Sequence, residues 1–169
     1  MLTVRCLSPV DASCTPGLSR LLLDTVTGGG SVGFLADLTP ADAAAYWHTV
    51  SAGLGPALVL WVAEAAGQVV GTVQLAPCQR PNGMHRAEVL KLLVLRTSRR
   101  TGIATQLLAT AEAFARQQGL TLLFLDTEAG SPAETLYQSM GWHKGGEIPN
   151  YFVTPAGALH TTAIYYKPL

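Results

Sequence analysis

Charge is in short supply in this chain. Lys, Arg, Asp and Glu make up 13% of its 169 residues, with 11 of each sign, so the formal net charge is zero. A neutral chain exerts no long-range pull on nucleic acid or on an anionic membrane, and neither is expected as a partner. Cysteine is almost as scarce. Cys6, Cys14 and Cys78 form an odd set without Cys-x-x-Cys spacing, which argues against a disulfide framework and for reduced thiols in the cytoplasm. His48, His85, His143 and His160 fall into no His-x-x-x-His or His-Glu-x-x-His arrangement, so no metal site is expected. No apolar run reaches the ~20 residues that span a bilayer, and no signal-peptide pattern is expected at the start. Repeats, linkers and low-complexity stretches are missing too, so residues 1–169 read as one domain. Hydrophobic residues, by contrast, make up 49% of the chain, enough for a substantial core.

One stretch organises the rest. Val89-Leu90-Lys91-Leu92-Leu93-Val94-Leu95 is an apolar run of strand length, and Ile103, Leu107, Leu108, Ala111, Phe114 and Ala115 recur at helical spacing as far as Gln118-Gly119. Between them lies the short basic turn Arg99-Arg100-Thr101-Gly102. A turn that opens a helix presents unpaired backbone N–H groups and the positive end of the helix dipole, a combination suited to a pyrophosphate. Gly102 allows close approach of the anion, and Ala104 keeps the first helical turn small. The plainer reading is an ordinary strand-to-helix turn with solvated arginines.

Around this stretch the chain reads β-α-α-β-β-β-α-β-α-β-β, an α+β layout with a mixed sheet between layers of helices. Leu2 to Leu7 alternates as a first strand, and Pro16 to Thr27 carries a helical stripe of Leu18, Leu21, Leu22 and Val26. Thr39-Pro40 opens a second helix. Leu58 to Glu64 and Val69 to Leu75 pair as a hairpin, and Arg86 to Leu95 follows as the strand before the turn. Leu120 to Leu125 is a buried strand. Ser131-Pro132-Ala133-Glu134 starts the last helix, with Ser131 as its cap, and Gly141 stops it. Strands at 142–148 and 161–167 are joined by a Pro/Gly-containing excursion from Pro149 to Leu159.

The spacing Arg99-x-x-Gly102-x-Ala104 resembles the acetyl-CoA pyrophosphate loop of the GNAT superfamily of N-acetyltransferases. Leu136-Tyr137-x-x-x-Gly141-Trp142 resembles the end of the helix that carries a tyrosine in the same family. Blocks at 28–34, 78–83, 86–89, 125–131 and 154–160 are further similar to the tabtoxin-resistance branch, which acetylates an amino group of a toxin built on an amino acid. The resemblance implies the GNAT fold and acetyl-CoA as co-substrate. It implies a cofactor site formed by the backbone of Leu92, Leu93 and Val94 and by Arg99, Arg100, Thr101, Gly102, Ile103, Ala104 and Thr105. It also implies that Tyr137 is the acid for the departing thiolate; a core aromatic with a wet hydroxyl is the alternative. The chain departs from the family at Arg96, where proline is frequent, and at Gly130, where asparagine is.

Transfer to an amine needs a proton acceptor. Strict alternation along the strand puts Glu88, Leu90, Leu92 and Val94 on one face, where Glu88 is partly desolvated and suited to act as base. The alternative is a structural Glu88 paired with Arg86 or Lys91. Asp126, at the end of the following strand, is a second candidate for base or for holding the substrate ammonium, or else it caps a loop. Phe34, Asp37, Asn82 and Tyr151 are the expected lining of the acceptor site, or anchors of their own loops. Gly28-Gly29-Gly30 reads either as a backbone cradle for a carboxylate or as a hinge. The expected reaction is direct transfer from acetyl-CoA to a small amino-acid-like amine, with a resistance role and with homodimerisation left open. A peptide or protein acetyltransferase and a non-catalytic acyl-CoA-binding module are the alternatives.

Overall fold

The computed structural model describes residues 1–9 and 11–169. Its elements run β1 (Leu2–Cys6), α1 (Thr15–Thr27), α2 (Pro40–Ala52), β2 (Val59–Ala65), β3 (Gln68–Pro77), β4 (Arg86–Val94), α3 (Ile103–Gln117), β5 (Leu122–Glu128), α4 (Pro132–Ser139), β6 (His143–Val153) and β7 (Leu159–Pro168). The strands form one mixed sheet in the order β1-β2-β3-β4-β5-β7-β6. This is the α+β order expected from the sequence.

Two apolar layers hold the helices to the sheet. On one face, Leu18, Leu21 and Leu22 of α1 and Trp47 of α2 pack with Leu60, Val62, Val69 and Leu93. On the other, Leu107, Leu108, Ala111 and Ala115 of α3 pack with Trp61, Val73, Leu75, Val89, Leu123 and Leu125. Each fully buried aliphatic side chain contributes about 1.5–3 kcal/mol, so these stripes, more than helix propensity, fix where the helices lie. Thr39 begins α2 as expected: its side chain accepts from the Asp42 N–H while the Asp42 carboxylate accepts from the Thr39 N–H.

The feature that positions the site is the join between β4 and β5. The two strands run parallel but pair only through Arg86–Leu122, Ala87–Leu123 and Glu88–Phe124. Beyond Glu88 they part. On its other side β4 stays paired with β3, but the register slips between Thr72 and Gln74, so that Thr72 faces Leu93 and Gln74 faces Leu90. That slip inserts one extra residue into β4. At the bulge Lys91 adopts φ +49°, a left-handed conformation unusual for a long side chain.

The bulge corrects the strict alternation expected for this strand. Leu93 belongs to the layer under α1 and α2, whereas Leu92 and Val94 pack toward α3. Three other expectations also change. Ser131 makes no side-chain cap at the start of α4; the Gly130 N–H donates to Glu134 Oε1 at 2.6 Å. The excursion expected from Pro149 to Leu159 is shorter: β6 continues to Val153, with a bulge between Ile148 and Phe152 and Asn150 at φ +53°, and β7 begins at Leu159. An edge strand tolerates proline because its outer N–H row has no partner to lose. Finally, the amides of Gly28, Gly29 and Gly30 donate to carbonyls of Asp24, Val26 and Thr25. They terminate α1, so these amides are not free to cradle a carboxylate.

Candidate active site

The turn after β4 is built as an anion seat. Arg100 at φ +60° and Gly102 at φ +83° bend the chain so that α3 begins without a side-chain cap. The first amides of a helix have no partner within it, and here no side chain covers them. A Cβ built at Gly102 would meet nothing within 4 Å, so the glycine serves the backbone conformation and leaves the approach open. Arg99, Arg100, Thr101, Gly102 and Thr105 are exposed, and Ala104 is half-buried. Ile103 contributes only its backbone, because its side chain lies in the core under α3. Arg99 donates to the Val94 carbonyl at 3.2 Å, and Thr101 to the Ser98 carbonyl at 2.6 Å. Arg96, where proline is frequent in the family, pairs away from the turn: its Nε lies 2.9 Å from Asp24 Oδ1 at the end of α1.

The carboxylates stand where β4 and β5 separate. Burial pushes the Glu88 carboxyl above its ordinary pKa, and the negative charge of Asp126 pushes it further, against a smaller opposing effect of Lys91. Glu88 makes no ion pair with Arg86 or Lys91 among the described residues, so the structural pairing is not formed. Asp126 is held by the Thr162 hydroxyl, which donates to Oδ2 at 3.1 Å. Tyr137 of α4 is buried at 6% exposure, with its ring 5.9 Å from that of Trp142 and 5.7 Å from that of Tyr165. Burial raises its phenol pKa strongly, and Asp126 adds to the rise. The phenol therefore keeps its proton across the physiological range. The charge of Asp126 thus acts on both Glu88 and the Tyr137 phenol.

The sequence reasoning did not single out Lys91, Tyr46 or Gln74. The Lys91 ammonium lies 5.8 Å from the centre of the Tyr46 ring, and a Cβ at Gly33 would be 3.9 Å from it. Gln74 donates to the Tyr46 hydroxyl at 3.5 Å. The signal in the sequence was Lys91 itself, a cation inside an otherwise apolar run. Of the expected lining residues, Phe34 joins this group, packing edge-to-face on Tyr46 at 5.1 Å. Asp37 and Asn82 are exposed, Asn82 in a short turn before the far end of β4, and Tyr151 is 54% exposed on β6. None of these three has a side-chain hydrogen bond to the cluster among the described residues. Glu128, beside the gap, is bonded to His160 at 2.6 Å.

A split sheet with an uncapped helix start at one end of the gap and a tyrosine and carboxylates within it defines an acyltransferase scaffold. Residues 33–142 match the sequence profile of the acetyltransferase (GNAT) family, and the chain belongs to that family. The family's acyl donor is acetyl-CoA. The chain is similar to N-acetyltransferase 8 of Rattus norvegicus, 44% identical over 89 residues, which are 52% of this chain and 40% of the relative. It spans less than half the length of the curated relatives it matches. Its fold follows that of a GCN5-related N-acetyltransferase from Kribbella flavida, with TM-score 0.79 and 26% identity over 99% of this chain and 98% of that one. Its fold also follows that of an acetyltransferase structure from Salmonella typhimurium containing acetyl-CoA, with TM-score 0.79 and 18% identity over 100% of this chain and 94% of that one. The residues fit that donor: the open amides of residues 103–105 suit its diphosphate, and the β4 edge unpaired beyond Glu88 suits its amide-bearing arm.

Proposed function

We propose that the protein transfers the acetyl group of acetyl-CoA directly to the amino group of a small, amino-acid-like acceptor, in a detoxifying or resistance role. One observation carries the proposal: Glu88 and Asp126 stand on β4 and β5 where the two strands part, and the charge of Asp126 acts on both Glu88 and the Tyr137 phenol. When bound, acetyl-CoA supplies the activated carbonyl. Asp126, fixed by Thr162, holds the acceptor ammonium near Glu88. Glu88, with its pKa raised by burial and by Asp126, takes the proton that must leave before the amine can attack. Tyr137 donates its hydroxyl proton toward the departing sulfur and regains it from solvent.

Direct transfer needs no nucleophilic side chain, and the cysteines offer none here. Cys14 accepts a 2.9 Å hydrogen bond from Arg5 beside Glu64, and burial raises its pKa. Three free thiols support a cytoplasmic setting, and no helix among the described residues is long and apolar enough to cross a membrane. The similarity of the blocks at 28–34 and 125–131 to the tabtoxin-resistance enzymes supports a small acceptor. The test is thiol release from acetyl-CoA across a panel of amines and amino acids, with calorimetry for cofactor binding. Y137F should lower kcat by about 10²- to 10⁴-fold while acetyl-CoA still binds. Binding without turnover for any amine in the wild-type protein would leave an acyl-CoA-binding module instead.

A further inference from the structure

Lys91 is placed at some cost. In an unbroken strand, alternation would put residue 91 on the face opposite Glu88. The bulge and the left-handed φ of +49° turn its side chain back to the α1/α2 face, where the ammonium stands over the Tyr46 ring. Such a backbone state persists only where its surroundings impose it, and it concentrates at functional sites.

The other two lysines are paired. Lys144 bonds Glu134 and Glu147, and Lys167 bonds Glu112. Lys91 has no hydrogen-bond or ion-pair partner within 4 Å among the described residues. It is half-buried, and the loop at Gly33 comes close above it. Glu88 and Asp126 influence its charge from farther away. A half-buried ammonium without an acceptor loses hydration and gains only the aromatic face in return. An anion from outside would complete it.

We infer that Lys91 is the anchor for the carboxylate of the acceptor, so that the site recognises a free amino acid or a close analogue by both of its charged ends. The carboxylates of Glu88 and Asp126 meet the ammonium end and Lys91 the carboxylate end. Phe34 packs edge-to-face on the Tyr46 ring over which the Lys91 ammonium stands. This assignment rests on the acetyl-transfer reading and sharpens its substrate class.

The experiment compares acceptors in matched pairs, lysine with cadaverine and phenylalanine with phenethylamine, following thiol release by the wild-type protein, K91M and K91R. A charge-assisted contact of this kind is lost at about ten- to hundredfold in affinity. The wild type should prefer the carboxylated member of a pair by about tenfold or more in kcat/KM. In K91M that ratio should collapse toward one, through KM, and K91R should restore part of it. Because the ratio is taken within one protein, general loss of folded enzyme does not mimic the result. Turnover with equal preference in the wild type, or a ratio unchanged in K91M, would overturn the role of Lys91 and leave acetyl transfer standing. Thiol release with no member of the panel would overturn both.

Discussion

Replacing Glu134 by Gln should weaken the fold by an amount that depends on pH in a defined way. The Glu134 carboxylate accepts from the Tyr165 hydroxyl at 2.5 Å, the Gly130 N–H at 2.6 Å and Lys144 Nζ at 2.9 Å. Hydrogen bonds from Tyr165, then Lys144, hold its pKa at about 2, against an ordinary 4.5. At about 1.36 kcal/mol per unit, that depression corresponds to about 3 kcal/mol at neutral pH. Lys144 is partly exposed, with 36% of its side chain accessible, so solvent screening reduces the expected figure to about 2 kcal/mol. Because the folded pKa lies below the unfolded one, this stability is complete above pH 4.5 and fades as the pH falls toward 2. Gln keeps one acceptor oxygen but loses the charge and leaves a donor facing donors. Urea unfolding of wild type and E134Q should differ by about 2 kcal/mol at pH 7, and the difference should shrink at pH 3.5 and below. A gap under about 0.5 kcal/mol at pH 7, or one that stays constant into acid, would refute the reasoning.

Glu88→Gln should cost about 10²-fold or more in kcat and abolish the acid limb of the kcat/KM profile. In the wild type that limb should lie above the ordinary carboxylate range, activity rising with pH as the buried group loses its proton. Gly102→Ala should destabilise by about 1–2 kcal/mol, because φ +83° is unfavourable for a residue with a Cβ. It should also raise the KM for acetyl-CoA with little change in kcat, as steady-state kinetics at saturating acceptor would reveal.

The strand, turn and helix from Val89 to Ala115 were legible because three independent signals coincide there: apolar run, glycine and helical spacing. The place of Tyr137 near the end of α4 was legible from its distance to Gly141. What period-two counting misses is a bulge, since one inserted residue exchanges the faces of everything after it. That is why Leu92 and Val94 lie toward α3 and why Lys91 was read only as a possible partner of Glu88. Ser131 has the residue type and position of a cap, yet Glu134 takes the Gly130 amide because its carboxylate is already drawn there by Tyr165 and Lys144. Those partners come from β6 and β7, too distant in sequence to be read locally. The glycines at 28–30 carry the same lesson. Their composition suggested a ligand, but their amides are spent on ending α1, and a Cβ at Gly28 would lie 2.7 Å from the Arg96 side chain.

The sheet is in effect two antiparallel blocks, β1–β4 and β5–β7, stitched by three residue pairs. The shared apolar layer under α3, which joins Val89 to Leu123 and Leu125, holds the two blocks together where strand pairing does not. A cofactor that pairs with the free edge of β4 would therefore extend a join that the chain itself makes with three residue pairs.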